Sequence, residues 1–256
     1  MSLDTLLLDA WFMLPLLALL CGVLALAPLG AQVLARGVVF IDLAVAQAAA
    51  AAALWVGAAM EHADWLTTHG LAVAGALACA GVVAWVSRRW PAQREALIGL
   101  LYVAGASIAL LGARQDPHGR ERMAELLAAD VLWAHTPQVA VLAGCAALVL
   151  LLGRRLTRDV VFFPVFAVVT SLAVPVLGLF LVFATLIAPA LWQRSGVAPW
   201  RAWGGAVLAC ALGLGASWAW DAPSGACVAL ALASYGALSA LRHSARLSEP
   251  PATGPG

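Results

Sequence analysis

Asp42 and Gln47 stand five residues apart in one of the most apolar stretches of this 256-residue chain. A carboxylate in hydrocarbon costs about 2.5–3.5 kcal/mol on insertion scales, so it is expected to face water or a partner and to mark a pathway. The competing reading is a solvated first-turn acid near the membrane surface, favoured by the helix dipole. At 100° per residue the two positions lie ~140° apart around a helix, so a regular helix does not aim both at one ion. A buried amide such as Gln47 also serves simply to bond a neighbouring helix. A second group, Glu61, His62, Asp64 and His69, falls in the apparent loop Met60–Gly70. Imidazole with carboxylate suits first-row divalent ions, although solvated loop residues are the plainer explanation.

Other chemistries find no footing. The chain has no lysine and hence no GxxxxGK[ST] phosphate loop, and it lacks HExxH and GxSxG. ATP hydrolysis is therefore not expected of this chain. Cys21, Cys79, Cys145, Cys210 and Cys227 all lie in apolar runs without zinc or redox spacing. They read as small packing residues. No basic stripe is present for a nucleic acid.

The elements that must position Asp42 follow from composition. Hydrophobic residues make up 64% of the chain and charged residues 11%, against roughly 25% charged in a typical soluble domain. So much apolar surface cannot be hidden inside a globule of this length. An all-α, polytopic transmembrane bundle over residues 1–247 is expected, surrounded by lipid. A Pro/Gly-rich tail, 248–256, should be disordered. The segment Met1–Asp9 carries no basic residue, so a cleavable leader is not expected.

Runs near the ~20 residues of a bilayer span are Trp11–Leu29, Val38–Ala58, Leu71–Ser87, Ala96–Ala113, Thr136–Gly153, Trp203–Trp220 and Gly225–Leu241. Val160–Trp192 is too long for one straight helix, and Pro175–Gly178 is the expected break. One kinked crossing there gives eight spans; two short ones give nine. Arginine placement favours nine. Arg36, Arg88, Arg89, Arg94, Arg154, Arg155, Arg158, Arg194, Arg201, Arg242 and Arg246 then share one side, against Arg114, Arg120 and Arg122 on the other. By the positive-inside rule the N-terminus is outside and the C-terminus cytoplasmic. Tryptophans agree, since Trp11, Trp55, Trp85, Trp90, Trp192, Trp203, Trp218 and Trp220 fall at span ends. Arg120–Ala129 reads as a short surface helix with Leu126 and Leu127 toward the membrane and Arg120, Glu121 and Glu125 toward water.

Four stretches resemble the membrane permease of bacterial ABC importers for zinc, manganese or iron. They are Pro28–Gly30 with Arg36–Gln47, Glu95–Tyr102, Leu126–Trp133, and Val176–Ala190 followed by Asp221–Gly225. The first is similar to the family's Arg-Arg-Met-x-Phe-x-Gly-Asp-x-x-x-His segment. The resemblance implies a fold like that of type II ABC importer permeases and a permease homodimer in the bacterial inner membrane. It also implies a cytoplasmic ATP-binding subunit on one side and an external metal-binding protein on the other. The divalent metal is cargo, and no stably bound cofactor is implied. In the family an Asp and a His of the second span line the metal path, which points here to Asp42 and Gln47.

Two departures from the family pattern stand out. Aligned on Phe40, Gln47 takes the His position and Leu43 the Asp position; aligned on the acid, Asp42 is kept and Ala46 replaces His. Either way a nitrogen ligand is lost, and oxygen donors suit a harder ion such as manganese better than zinc. The family's coupling helix between the fifth and sixth spans is reduced to Arg154–Asp159. ATPase docking is therefore expected at Arg154, Arg155 and Arg158 or at Arg88, Arg89 and Arg94. A permease for an organometallic or small organic cargo, and a non-transporting scaffold, remain as alternatives.

Overall fold

The computed structural model describes residues 10–59, 65–115, 121, 123, 127 and 129–247. Nine α-helices lie among the described residues: α1 (Ala10–Arg36), α2 (Ile41–Ala59), α3 (Trp65–Arg89), α4 (Arg94–Ala113), α5 (Thr136–Leu152), α6 (Asp159–Leu177), α7 (Leu179–Arg194), α8 (Pro199–Trp220) and α9 (Ser224–Leu247). Short 3-10 turns, Val131–Trp133 and Gly153–Thr157, precede and follow α5. Six helices are long and apolar enough to cross a membrane, and Ile41–Trp55, Leu179–Arg194 and Ser224–Ser239 form shorter apolar helices.

The apolar periodicity cannot be one-sided in such helices, and the exposed residues show it. Leu100, Leu151, Val160, Leu208 and Leu212 are all more than half exposed. Apolar surface of that extent is tolerated against lipid tails and not against water. The chain is a multi-pass membrane protein.

The expected break in the long apolar run is real and falls at Gly178, with φ 79° and ψ 154°. That conformation is open almost only to glycine, so the residue type fixes the turn. Contacts with α1 give the path on either side. Asp159, opening α6, meets Arg36 at the end of α1; Leu177, closing α6, lies against Gly22. Leu186 of α7 then lies against Gly30, so α7 runs back toward the end from which α6 came. The run is a helical hairpin, and Arg158 and Arg194 sit at its two open ends. A Cβ on Gly30 would collide with the Leu186 carbonyl, so glycine there lets the backbones of α1 and α7 touch.

Two groups of helices result. α2 packs between α3 and α4, while α1 packs on α5 and α7, and α9 joins α7 to α8. α6 bridges them by packing on α3. At the open end of the hairpin the second group is tied by aromatic residues. Trp192 stacks on Tyr235 and donates to its carbonyl at 2.7 Å, while the Tyr235 hydroxyl donates to the Ala202 carbonyl at 3.0 Å. The cysteines are free, as their scatter through apolar runs implied.

Boundaries differ from the sequence reading in instructive ways. α3 begins at Trp65, six residues before the expected Leu71, so His69 belongs to a helix and not to the loop. Thr67, Thr68 and His69 are polar but half-buried within α3, and an apolar run alone does not register them. Leu127, expected to face the membrane, instead packs against the core beside Leu179. The gap between α2 and the hairpin tip takes up this side chain. His62, Glu61, Asp64, Leu126 and the tail 248–256 lie outside the described residues.

Candidate functional site

Asp42 opens α2, in its first turn. A first-turn acid is usually wet, but Asp42 is only 1% exposed. The backbone N–H groups of Asp42 and Leu43 lie near the carboxylate, yet neither oxygen has a well-formed hydrogen bond among the described residues. A buried unpaired acceptor forfeits its water without replacement, at about 1–3 kcal/mol and more when charged. The solvated-cap reading of Asp42 is thereby overturned.

Gln47 is also buried, and its Oε1 is likewise without a partner among the described residues. Its backbone environment is built by small residues: Gly105 of α4 would place a Cβ 3.2 Å from the Gln47 Cβ. A cavity of about 10 Å³ lies beside Gln47, lined also by Ala46, Ala50, Leu127, Val174 and Leu179. That is barely the space of one water molecule. Asp42 does not line it. That agrees with the ~140° separation of the two positions on a regular helix.

Other buried oxygens without a partner among the described residues were not foreseen: Ser87 Oγ, Glu95 Oε2 and Thr170 Oγ1. Thr170 of α6 is fully buried and its Oγ1 has no partner among the described residues. It lies one turn before Val174 and so on the same face of α6. Nothing in the local sequence separates Thr170 from a routine helical threonine that bonds its own helix. Among the described residues no three of His, Cys, Asp and Glu gather closely enough to hold a metal.

The corner between α1 and α2 that delivers Asp42 is held from two sides. Arg36 donates from Nε to Asp159 at 3.0 Å, and from Nη2 to the carbonyls of Leu156 at 3.1 Å and Thr157 at 2.7 Å. Its Nη1 donates to Gln32 Oε1 at 2.8 Å, and the guanidinium lies 4.2 Å over the Phe162 ring. From the other side Glu95 Oε1 accepts from the Val39 N–H at 2.7 Å. Gly37, with φ 59°, makes the corner beneath the Arg94 guanidinium.

The arginines expected to face an ATPase gather at this same end. Arg88, in the last turn of α3, reaches Asp159 at 3.7 Å; Arg89 closes the helix and lies 5.5 Å over the Trp90 ring; Arg94 opens α4. Arg154 and Arg155 lie on the exposed 3-10 turn after α5, and Arg158 precedes α6. The stretches singled out in the sequence are also brought together. Val39 meets Glu95, Gly30 meets Leu186, and Ser224 Oγ donates to Asp130 Oδ1, which also accepts from the Leu132 N–H.

Comparison with protein-family models finds no match, and comparison with curated proteins finds none either. Among solved structures, a chain of "PsaBC from Streptococcus pneumoniae in complex with Fab" superposes with a TM-score of 0.72 at 15% identity. The alignment covers 92% of this chain and 93% of that one. The chain has the helical fold found in that PsaBC structure.

Proposed function

We propose that this chain is the permease subunit of an ATP-driven importer for a divalent metal cation. The observation that carries the reading is the buried Asp42, both of whose carboxylate oxygens lack a partner among the described residues. A membrane protein keeps such a group where an ion will supply the missing partner. Gln47 Oε1, on the same helix, is also without a partner among the described residues. The two do not share a cavity, so the cation would meet them in succession as the helices shift between outward and inward access. An all-oxygen path favours a hard ion such as manganese over zinc.

The arginine-rich end would face the cytoplasm and receive the ATP-binding subunit, with Arg154, Arg155 and Arg158 as its nearest contacts and Arg88, Arg89 and Arg94 beside them. The opposite end would take metal from an external binding protein. This sets the N-terminus outside and the C-terminus inside the bacterial inner membrane. A second copy of the chain enters from the sequence resemblance and completes the passage.

The test is Asp42→Ala in cells that express the complete transporter. Metal uptake is expected to fall to background while the protein level stays unchanged. Undiminished uptake would remove Asp42 from the pathway. Uptake of an organic cargo in place of metal by the unaltered transporter would overturn the choice of substrate.

A further inference from the structure

We infer that the trough between α3 and α6 holds one phospholipid with an anionic headgroup, in the leaflet that meets the arginine face. The trough has a volume of about 230 Å³. Leu77, Gly81 and Ala84 form one wall, and Val160, Phe163 and Pro164 form the other. Its α3 wall matches an acyl chain in length, while the α6 wall covers the headgroup-proximal part. Leu77 and Arg88 are eleven residues apart on α3, or about 16 Å at 1.5 Å per residue. A hydrocarbon leaflet is half of a ~30 Å core, or about 15 Å. The apolar end of the trough therefore reaches the bilayer midplane when its charged end is at the headgroups.

Charge complementarity chooses the occupant. Asp159 at the mouth is already matched by Arg36 at 3.0 Å, and Arg88 is its looser partner at 3.7 Å. The three groups carry a net single positive charge, and the Arg88 side chain is 60% exposed. Arg89, the next residue, lies over the Trp90 ring and does not line the trough. Trp85 and Trp90, edge to face at 4.9 Å, stand where indole rings anchor a helix at the headgroup level. A zwitterionic headgroup offers these arginines no net charge, whereas a phosphatidylglycerol does. The inference is independent of what the protein transports.

Native mass spectrometry of the purified protein, given phosphatidylglycerol or phosphatidylcholine of the same chain length, tests it. One phosphatidylglycerol per chain should be retained with about fivefold preference, the effect of one arginine beside an anionic headgroup. Arg88→Gln should bring that preference close to unity. Gly81→Leu should lower the occupancy of both lipids several-fold, because a Cβ at Gly81 meets open space and the side chain would fill the trough. Gly99→Leu on α4, where a Cβ also meets open space, should leave occupancy unchanged. Equal retention of the two lipids by the unaltered protein overturns the inference. So does an unchanged preference in Arg88→Gln, which is exposed and does not endanger folding. An equal loss in Gly81→Leu and Gly99→Leu overturns it as well.

Discussion

Replacing Arg36 with Ala should destabilise the protein far more than replacing Arg88, although both arginines pair with Asp159. Arg36 is 15% exposed and Arg88 60%, so the two pairs sit in different dielectric surroundings. An exposed pair at 3.7 Å is worth about 0–1 kcal/mol, and Arg88→Ala should stay below about 0.5. Arg36 holds a carboxylate and two backbone carbonyls, and hydrogen bonds involving a charged group net about 1.5–3 kcal/mol each. The Phe162 face adds about 0.5–1 kcal/mol. The Thr157 carbonyl is exposed and recovers water when released, so the sum is not reached. About 3 kcal/mol is the working value for Arg36→Ala. Arg36→Lys keeps a charge near Asp159 but loses the planar fork that reaches both carbonyls, and should lose about half as much. Thermal unfolding in one detergent ranks the three variants. Limited trypsin digestion adds a local readout: release of the 3-10 turn should speed cleavage at Arg154, Arg155 and Arg158 in Arg36→Ala alone. If Arg36→Ala and Arg88→Ala match in both measurements, the clamp does not hold this corner.

Gly30→Ala should cost about 1–3 kcal/mol, the range for overpacking, because the new methyl meets the Leu186 carbonyl; thermal unfolding reports it. Gly178→Ala forces a side chain into φ 79°, ψ 154°, which is strained by about 1–3 kcal/mol. Its sign should show as loss of the α6–α7 hairpin in the yield of folded protein from detergent extracts. Asp42→Asn should leave stability unchanged or raise it by about 1 kcal/mol, since it removes an unpaired buried charge, while abolishing metal uptake. Unfolding and uptake measured on the same variant decide that pair of outcomes.

Much of this architecture was written in local composition. Each apolar run became helical, with ends up to seven residues from those expected (α1 ends at Arg36 and not Leu29), and Pro175–Gly178 marked the hairpin turn, because span length and glycine conformation are local properties. The arginine pattern placed Arg36, Arg88, Arg94 and Arg158 at one end for the same reason: charge seeks the interface whatever the tertiary packing. The contacts that position Asp42 were not legible. Arg36 and Asp159 are separated by 123 positions, and no local pattern states that one will clamp the other. Thr170 and Leu127 were missed because their roles depend on which neighbour faces them. Bulk hydrophobicity gave Leu127 to the lipid, whereas the hairpin tip offered it a better-packed place.

The contrast between Asp42 and Asp159 bears most directly on function. Asp159 is half-buried at the bundle end and draws two arginines. Asp42 stands six residues beyond Arg36 in the chain, is almost wholly buried, and draws none among the described residues. The absence is not for want of cations, since Arg36, Arg88 and Arg94 all gather around the same corner. Arg36 spends its donors on Asp159, Gln32 and two carbonyls, and Glu95 fastens the backbone between Arg36 and Asp42. The corner thus fixes where α2 begins, and no ion pair to the buried carboxylate forms among the described residues. An acid retained only for stability would have been paired or replaced by an apolar residue of similar size. A resident arginine would neutralise Asp42 permanently. Under the proposed function, a site that takes up and releases a cation needs its charge uncompensated between events, and the described residues around this corner leave Asp42 in that condition.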